Sequence, residues 1–386
     1  MRASRRELRL PRDVLAAGVA SAVFSVSLGA ASVALPLLAL HAGYSAAGIG
    51  ALTAVSAVTQ MTSRMFLGMV MRRWPDWILI TAAAVTLAAA NAVVAVSASV
   101  VPFVLAQMLQ GLARACFWTG SQTHVVRGAG RAISALATVN FVSSLGLLAG
   151  PVLAGVLSER SPSLALAAAS GVALVAVVPT FLLDRLPPFV PPADRPPGRL
   201  WRRPGVDLGC WAGVTAGAWR GLLTSYVPVA LAAARQSSAT IGALVSVANG
   251  ASVAGAALVG RVRERGATRG FVLGIVAAGG GTALATVVAG QVVLAAAVLA
   301  LSGIGAGALQ TLGPAMATEA VHPEERGDAI AAAGTFRAAA LFVAPLAVAG
   351  LLGVVGLAGA MAAAGGAITL PAALSRRRLP LRKAVT

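Results

Sequence analysis

Long apolar runs alternate with short polar segments along most of this chain. A window of about 19 residues finds twelve runs, near residues 14–40, 45–70, 77–97, 101–125, 133–157, 163–183, 207–233, 238–260, 270–289, 291–318, 329–351 and 353–373. A helix needs about 20 apolar residues to cross a hydrocarbon core, so each run predicts one transmembrane helix. The first run is longer than the apolar core of a signal peptide, which indicates a retained helix. The pattern predicts an all-α polytopic membrane protein with 12 transmembrane helices.

One long polar stretch divides these runs into six and six. The segment from Asp184 to Pro204 contains seven prolines and five arginines. Proline has no backbone N–H and disrupts helices, so this stretch predicts a connection between two domains. The expected organisation is an N-terminal six-helix lobe at 1–183, a cytoplasmic Pro/Arg-rich linker at 184–205 and a C-terminal six-helix lobe at 206–386.

Composition and charge support the membrane interpretation. Hydrophobic residues make up 58% and charged residues 11% of the chain, with a mean hydropathy of +0.85, which excludes an ordinary soluble enzyme. The net charge of +18 does not indicate nucleic acid, because the basic residues fall in short clusters between the apolar runs. With the N-terminus inside, 25 Lys and Arg lie on the inner side, and only Arg160 and Arg235 lie outside. The 25 inner residues include Arg64, which lies within the second run but is assigned to the inner segment that follows it.

The positive-inside rule therefore predicts that both termini are cytoplasmic. The expected location is the bacterial cytoplasmic (inner or plasma) membrane, which the chain crosses several times. The lipid bilayer is then its surroundings, and a monomer is the expected state.

The two halves of the chain repeat each other. When the second half is aligned with the first at an offset of 192 residues, six positions of distinctive residue type coincide. The matched pairs are Pro36 with Pro228, Ser45 with Ser237, Ile49 with Ile241, Gly50 with Gly242, Gly68 with Gly260, and Arg73 with Arg265. Two six-helix repeats in the same orientation predict a two-lobed transporter with its cavity between the lobes.

Several motifs at matching positions make the chain resemble the major facilitator superfamily. In the family's loop signature after the second helix, Gly68 and Arg73 match, whereas Arg72 and Pro75 depart from the pattern. The copy after the eighth run fits better, and the segments His322–Gly327 and Gln107–Gly111 also resemble family motifs. The matching residues of the second copy are Gly260, Val262, Glu264, Arg265 and Arg269.

A further motif lies in the fifth run. Gly146, Gly150, Pro151 and Gly155 match the GxxxGPxxxG pattern that is associated with antiporters of this family. Small residues four positions apart allow close helix packing, and proline bends a helix. The resemblance implies that these residues, together with the two loop signatures, act in gating and conformational change.

Arginines inside the apolar runs are the candidate substrate-binding groups. Arg114 and Arg220 each lie about 13 residues into a helix, near the bilayer midplane, where a charge costs at least about 2.5 kcal/mol and often marks a substrate path. The resemblance implies that helices 1, 4, 7 and 10 line the cavity, so both arginines are expected to face it. Guanidinium groups without a nearby acid favour an anionic ligand. The alternative is that they pair with backbone carbonyls, with nearby glutamines or with an acid at a helix end.

The expected substrate-binding set joins these arginines to neighbouring amides and aromatic residues. Trp118 and Trp219 are expected either to wall the cavity or simply to pack in the bundle. The role of Arg337, which is also inside a run, is left open. The set comprises Arg114, Arg220, Gln110, Trp118, Trp219 and Gln310.

The combined interpretation is a secondary active transporter that moves a small anionic or amphiphilic organic molecule by alternating access, in the direction of efflux or antiport. Import of an organic acid, a sugar or another metabolite is the main alternative, and a non-transporting membrane sensor is a remote one. An enzyme is not expected, since the histidines are scattered and no acid–base or metal set is apparent. No cofactor or metal is predicted. H⁺ is a candidate coupling ion, through Asp207 or Glu319 or through the proton of the substrate, because every acid lies in a loop or at a helix end.

Overall fold

A computed structural model describes residues 12–128, 132–188, 200–259, 267–321 and 326–375. These parts of the chain form twelve long helices and contain no β-strand, which confirms the predicted fold class. A one-turn helix (Val177–Thr180) and a 3₁₀ turn (Leu200–Arg202) lie between the sixth and the seventh of these long helices. The long helices are α1 (Arg12–His41), α2 (Ala46–Arg73), α3 (Asp76–Val96), α4 (Val100–Gly128), α5 (Ala132–Ser158), α6 (Pro162–Val175), α7 (Val206–Ala233), α8 (Ser238–Val259), α9 (Ala267–Leu284), α10 (Val292–Glu319), α11 (Arg326–Leu351) and α12 (Leu357–Ser375).

The helices pack in two groups, which we call the N-lobe (α1–α6) and the C-lobe (α7–α12). Within the N-lobe, α1 packs mainly on α5, and α4 packs on α2 and α3. Within the C-lobe, α7 packs on α11, α8 on α10, and α9 on α10 and α12. The largest contacts between the lobes join α5 to α8 and α2 to α11, with a smaller contact between α1 and α7.

The contacts between the lobes lie toward one face of the bundle. We call the face where α1 begins and α12 ends the termini face, and the opposite face the far face. Near the far face, the backbone N–H of Ala239 donates to Glu159 Oε1 at 2.7 Å, and Gly50 on α2 lies against the ring of Tyr226 on α7. Toward the termini face, Arg64 on α2 and Arg337 on α11 are exposed. The lobes are therefore closed at the far face and separated by a space that opens toward the termini face.

Eight of the described helices are long and apolar enough to cross a membrane, and α9 and α12 contain shorter apolar segments. The two that remain are α2 and α7, whose polar side chains lower their hydropathy. Because α2 and α7 face the space between the lobes rather than only lipid, they can carry such side chains.

The ends of α1 and α7 show the internal repeat in atomic detail. Gly43 and Arg235, which are 192 residues apart, both adopt a left-handed backbone, with φ of +83° and +60°. The same capping bond follows each of them, because the next backbone N–H reaches five residues back, at 3.0 Å after Gly43 and at 3.1 Å after Arg235. Ser45 and Ser237 then each accept a backbone N–H from the residue three positions later. This is a Schellman-type helix end followed by an N-cap, used twice.

Replacing Arg235 with glycine is expected to raise the free energy of unfolding by about 1 kcal/mol, because glycine adopts the left-handed conformation without the steric cost paid by a residue with a Cβ. Thermal unfolding of the purified protein in detergent measures the change. Arg160→Gly is the matched control, since Arg160 is also exposed at the far face but has an ordinary φ. Equal effects of the two substitutions would contradict the prediction.

Three details differ from the sequence-based expectation. The sixth run was expected to continue to residue 183, but α6 stops at Val175, because Pro179 has no N–H to donate to the carbonyl of Val175. The ninth run was expected to reach residue 289, but α9 ends at Leu284, before three successive β-branched residues at 286–288, which disfavour helix. Arg64 was counted with the connection after α2, but it lies inside α2.

Candidate substrate-binding site

Arg114 heads a chain of hydrogen bonds that crosses the N-lobe. Its Nη2 donates to Gln110 Oε1 at 3.3 Å, and Gln110 Nε2 donates to Asn91 Oδ1 at 3.1 Å. Asn91 Nδ2 then donates to Ser27 Oγ at 3.1 Å, and Ser27 donates to the backbone carbonyl of Ala169 at 2.7 Å. Every link runs from donor to acceptor, so the chain fixes the orientation of both amides. The Nε of Arg114 is buried and has no hydrogen-bond partner, so this guanidinium retains unused donor capacity.

Arg220 occupies the corresponding depth in the C-lobe. Its Nη1 donates to Asn249 Oδ1 at 2.6 Å, and its guanidinium lies 5.3 Å from the ring centroid of Trp219. Asn249 Nδ2 donates in turn to the backbone carbonyl of Leu147 at 3.2 Å. Because Leu147 belongs to α5, this amide connects Arg220 to the opposite lobe.

Two further arginines face the same space nearer the termini face. Arg337 is exposed and makes a long contact of 3.4 Å with Gln310 Oε1. Arg64 is exposed on α2, and it and Arg337 repel each other electrostatically. Arg220 is likewise repelled by Arg337 and by Arg114. Two guanidinium groups from each lobe are thus gathered in one space, and none of the four has a carboxylate partner among the described residues.

A small cleft lies between the N-lobe and α7, with Arg114 in its wall. Leu35, Ile49 and Phe103 contribute apolar surface to it. The polar lining residues come from α1, α2, α4 and α7, and are Ser32, Thr53, Gln107, Gln110, Arg114 and Thr224. The cleft therefore combines apolar walls with hydroxyl and amide groups and one cationic group.

The remaining members of the expected substrate-binding set lie elsewhere. Trp118 packs edge-on against Phe24 and Phe117 in the N-lobe core. Trp219 is 2% exposed, and its indole N–H donates to Ser302 Oγ at 3.1 Å. Both positions agree with the packing alternative, although Trp219 also supports the guanidinium of Arg220. Gln310 contacts Arg337 rather than the cleft.

The glycines of α5 make two different close contacts. Gly146 and Gly150 face α1 in the same lobe, where an added Cβ at Gly150 would lie 2.7 Å from the backbone nitrogen of Ala30. Gly155 faces α8 across the interface, where an added Cβ would lie 2.6 Å from the backbone oxygen of Ser238. Pro151 contacts both neighbours, Gly29 on α1 and Gly242 on α8. The close packing expected of this motif is present. Gly146 and Gly150 pack within the N-lobe, whereas Pro151 and Gly155 also pack against the C-lobe.

The loop signatures are less informative. Gly68 has open space around it, and Arg73 is exposed at the end of α2. In the second copy, Gly260, Glu264 and Arg265 lie outside the described residues, as do residues 322–325 of the segment after α10.

Sequence reasoning missed the amides that hold the arginines. Asn91 and Asn249 are each 4% exposed or less, and each is bonded on both sides of its amide. A lone asparagine inside an apolar run is the signal that could have found them, because a buried amide needs partners. Arg64 was missed because it lies near the end of its run.

A buried ionic cluster lies at the termini face of the N-lobe, away from the cleft. The imidazole of His124 is fully buried, with Nε2 3.0 Å from Asp13 Oδ1 and Nδ1 3.1 Å from Asp76 Oδ1. Arg127 lies 3.2 Å from the other oxygen of Asp76. Asp13 also accepts the backbone N–H of Asp184 at 2.8 Å. This cluster ties together the ends of α1, α3 and α4.

Comparison with known proteins agrees with this architecture. The sequence model of the Major Facilitator Superfamily matches residues 17–345 and 209–385. No curated protein matches the chain in sequence.

Solved transporter structures share the fold at low sequence identity. A crystal structure of a variant of the nucleoside transporter NupG superposes with a TM-score of 0.80 at 12% identity, covering 95% of this chain and 99% of NupG. A bacterial homolog of the human lysosomal transporter Spinster, inward-facing and occupied, gives 0.76 at 13% identity, with 95% and 96% covered. A POT family transporter in complex with 5-aminolevulinic acid gives 0.75 at 10% identity, with the same coverage.

Proposed function

Since the chain belongs to the major facilitator superfamily and is a membrane transporter, we propose that it exports a small organic anion by alternating access between its two lobes. The observation that carries the proposal is the set of four arginines between the lobes, Arg64, Arg114, Arg220 and Arg337, with no carboxylate partner among the described residues. A bound anion would offset part of this positive charge.

Gathering four like charges in one space is costly. Two unit charges repel more strongly as the effective dielectric falls, and in a narrow space between helices it lies well below that of water. An anion placed between Arg114 and Arg220 would contact one guanidinium from each lobe. It would therefore turn a repulsion between the lobes into two attractions, and the planar fork of arginine suits carboxylate or phosphate oxygens.

The cleft beside Arg114 supports an amphiphilic substrate. Its walls at Leu35, Ile49 and Phe103 are apolar, whereas Ser32 and Thr53 can hydrogen-bond. A molecule with an anionic group and an apolar body would place its charge at Arg114 and its body along the wall. Ligand sites commonly combine such apolar surface with a few polar groups.

The α5 motif supports export. The pattern from Gly146 to Gly155 resembles that of the family's antiporters, and Pro151 and Gly155 form part of the contact that closes the far face. With the termini in the cytoplasm, as the charge distribution predicts, the space between the lobes opens to the cytoplasm and is ready to take up a substrate from inside. Import by the same site is the competing outcome that the experiment below distinguishes.

Coupling to H⁺ forms part of the proposal. Asp207 is engaged at the start of α7, where its Oδ1 accepts the backbone N–H groups of Gly205 and Leu208, and Glu319 is exposed in the last turn of α10. In the described helices the carboxylates lie near the helix ends. We propose that a coupled proton travels on the acidic group of the substrate itself.

An untargeted comparison of small molecules inside and outside overproducing cells tests the function. Relative to the wild type, Arg114→Ala and Arg220→Ala are each expected to reduce the outside enrichment of the transported anion by at least about tenfold, the size expected for losing a hydrogen bond to a charged group. Arg160→Ala is the matched control, because it removes an exposed arginine at the far face. Membrane quantities of each variant are measured in the same cells.

Each result has a definite meaning. Enrichment inside the cells that depends on both arginines would replace export by import at the same site. A transported compound that is neutral or cationic, or an anion whose distribution is unchanged in both variants, would overturn the anion site.

A further inference from the structure

Asn249 is the one side chain through which a cavity arginine bonds to the opposite lobe in the described structure. It is 4% exposed on α8 and lies about 17 Å along the helix from the far face. One end of its amide holds Arg220 at 2.6 Å, and the other end holds the Leu147 carbonyl at 3.2 Å.

The Leu147 carbonyl is available because of Pro151. In an α-helix, the carbonyl of residue 147 would accept the backbone N–H of residue 151, but proline has no N–H to donate. An unpaired carbonyl in a membrane-buried helix must find another partner, and Asn249 supplies it from the C-lobe. The proline of the α5 motif thus frees an acceptor, and Asn249 of the neighbouring lobe donates to it.

The chemistry of the two partners fixes the orientation of this amide. A guanidinium only donates hydrogen bonds, so the Asn249 oxygen must face Arg220, and a carbonyl only accepts, so the NH₂ group must face Leu147. Asparagine meets both demands without adding charge. An alanine would leave both partners unsatisfied, and an aspartate would oppose the Leu147 carbonyl with a carboxylate oxygen.

We propose that Asn249 is a positioning residue that couples occupancy of Arg220 to the contact between α5 and α8 which closes the far face. The proposal rests on the proposed function, in that Arg220 belongs to the anion site. An anion that neutralises Arg220 weakens the charge-assisted bond that holds the Asn249 oxygen, and the amide is then less firmly held against Leu147. Occupancy therefore favours separation of α5 from α8 at the far face, as export requires.

The neighbouring contacts show that this link lies within the closing surface. Ser246, about one turn from Asn249, donates to the carbonyl of Leu148 at 2.8 Å. Further toward the far face, Gly242 packs against Pro151 and Gly155. Of these three positions on α8, Asn249 lies furthest from the far face, and it is the one that bonds to Arg220.

Distances between spin labels at the far face test the coupling without a substrate. The labels are placed by Arg160→Cys and Ser237→Cys, which are exposed positions on the two lobes, in a chain carrying Cys116→Ala and Cys210→Ala. The full chain is reconstituted in lipid nanodiscs. Asn249→Ala is expected to raise the population with the longer distance about threefold or more, the size of one interhelical hydrogen bond in a membrane protein.

A double-mutant cycle identifies the route. Pro151→Ala restores an intrahelical partner for Leu147, so Asn249→Ala is expected to have little further effect in that background. Ser246→Ala is the matched control, because it removes the adjacent interlobe bond without touching Arg220 or Leu147, and its effect should be the same with or without Pro151. Additive effects of Asn249→Ala and Pro151→Ala would overturn the proposed link.

The bond between Arg220 and Asn249 is tested with the same spin-label distances. Arg220→Ala removes the charge, as neutralisation by an anion would, and is expected to raise the open population in the parent chain but not in the Asn249→Ala chain. Equal effects in both would show that Asn249 does not carry the signal. Arg114→Ala separates the two proposals, since it affects the anion site without touching Asn249. Unchanged export in that variant and in Arg220→Ala would overturn the anion site, even where the distances show that Asn249 links the lobes.

Discussion

Replacing His124 with alanine is expected to lower the free energy of unfolding by about 3–5 kcal/mol, the usual cost of removing one partner from a buried ionic group. Both ring nitrogens face carboxylates, at 3.0 Å from Asp13 and 3.1 Å from Asp76, and an imidazole can donate from both nitrogens only when it is protonated. With Arg127 the cluster balances two positive and two negative charges. With alanine at position 124, the two buried carboxylates of Asp13 and Asp76 face a single cation, Arg127, which joins α4 to α3.

Chemical denaturation of the purified protein, followed by tryptophan fluorescence, measures the loss. His41→Ala is the matched control, because His41 is exposed at the end of α1 and its ring contacts a backbone carbonyl, that of Leu37, rather than a carboxylate. Adding Asp13→Asn to His124→Ala is expected to recover part of the stability, since it removes the excess negative charge and keeps an oxygen for the backbone N–H of Asp184. A loss no larger than that of the control, or a double variant less stable than His124→Ala, would contradict this account of the cluster.

Gly242→Ala is expected to reduce the population closed at the far face by about a hundredfold, the upper end of the cost of overpacking. An added Cβ would collide with the Pro151 carbonyl and lie 2.9 Å from the Cα of Gly155. These are backbone atoms, which cannot move aside as a flexible side chain can. Separating α5 from α8 relieves the collision, so the substitution favours the conformation that is open at the far face.

Labels at positions 160 and 237 report this change directly. Gly171→Ala is the matched control, because Gly171 lies in α6 with open space around it and gains the same helix propensity from alanine. The control should keep the wild-type distance distribution. A Gly242→Ala chain that also keeps it would show that the α5–α8 contact does not define the closed far face.

The sequence was sufficient to predict the twelve helices and the family. Apolar length requires a helix in a membrane, because every backbone group must be satisfied within the segment. The repeat was visible because capping residues such as Ser45 and Ser237 perform the same local bond in both halves. Such features depend on residues close together in the chain, so a single sequence reveals them.

The tertiary structure alone decided which groups surround the arginines. Arg114 meets Gln110 four residues away, a partner that the sequence allowed, but the chain continues to Asn91 and Ser27 on other helices. Arg220 meets Asn249 from the next helix. Which face of each helix turns inward depends on helix rotation and packing, and a uniformly apolar run has little periodicity from which to derive either.

The ionic cluster is the clearest example of this division. The sequence placed Asp13, Asp76 and His124 at the ends of three runs, and it indicated that charges belong there because burial in lipid is costly. Their spacing of tens of residues carries no information about contact. The packing of α1, α3 and α4 brings His124 to 3.0 Å from Asp13 and 3.1 Å from Asp76. Local chemistry thus determined where the helices begin and end, and long-range packing decided which charges meet.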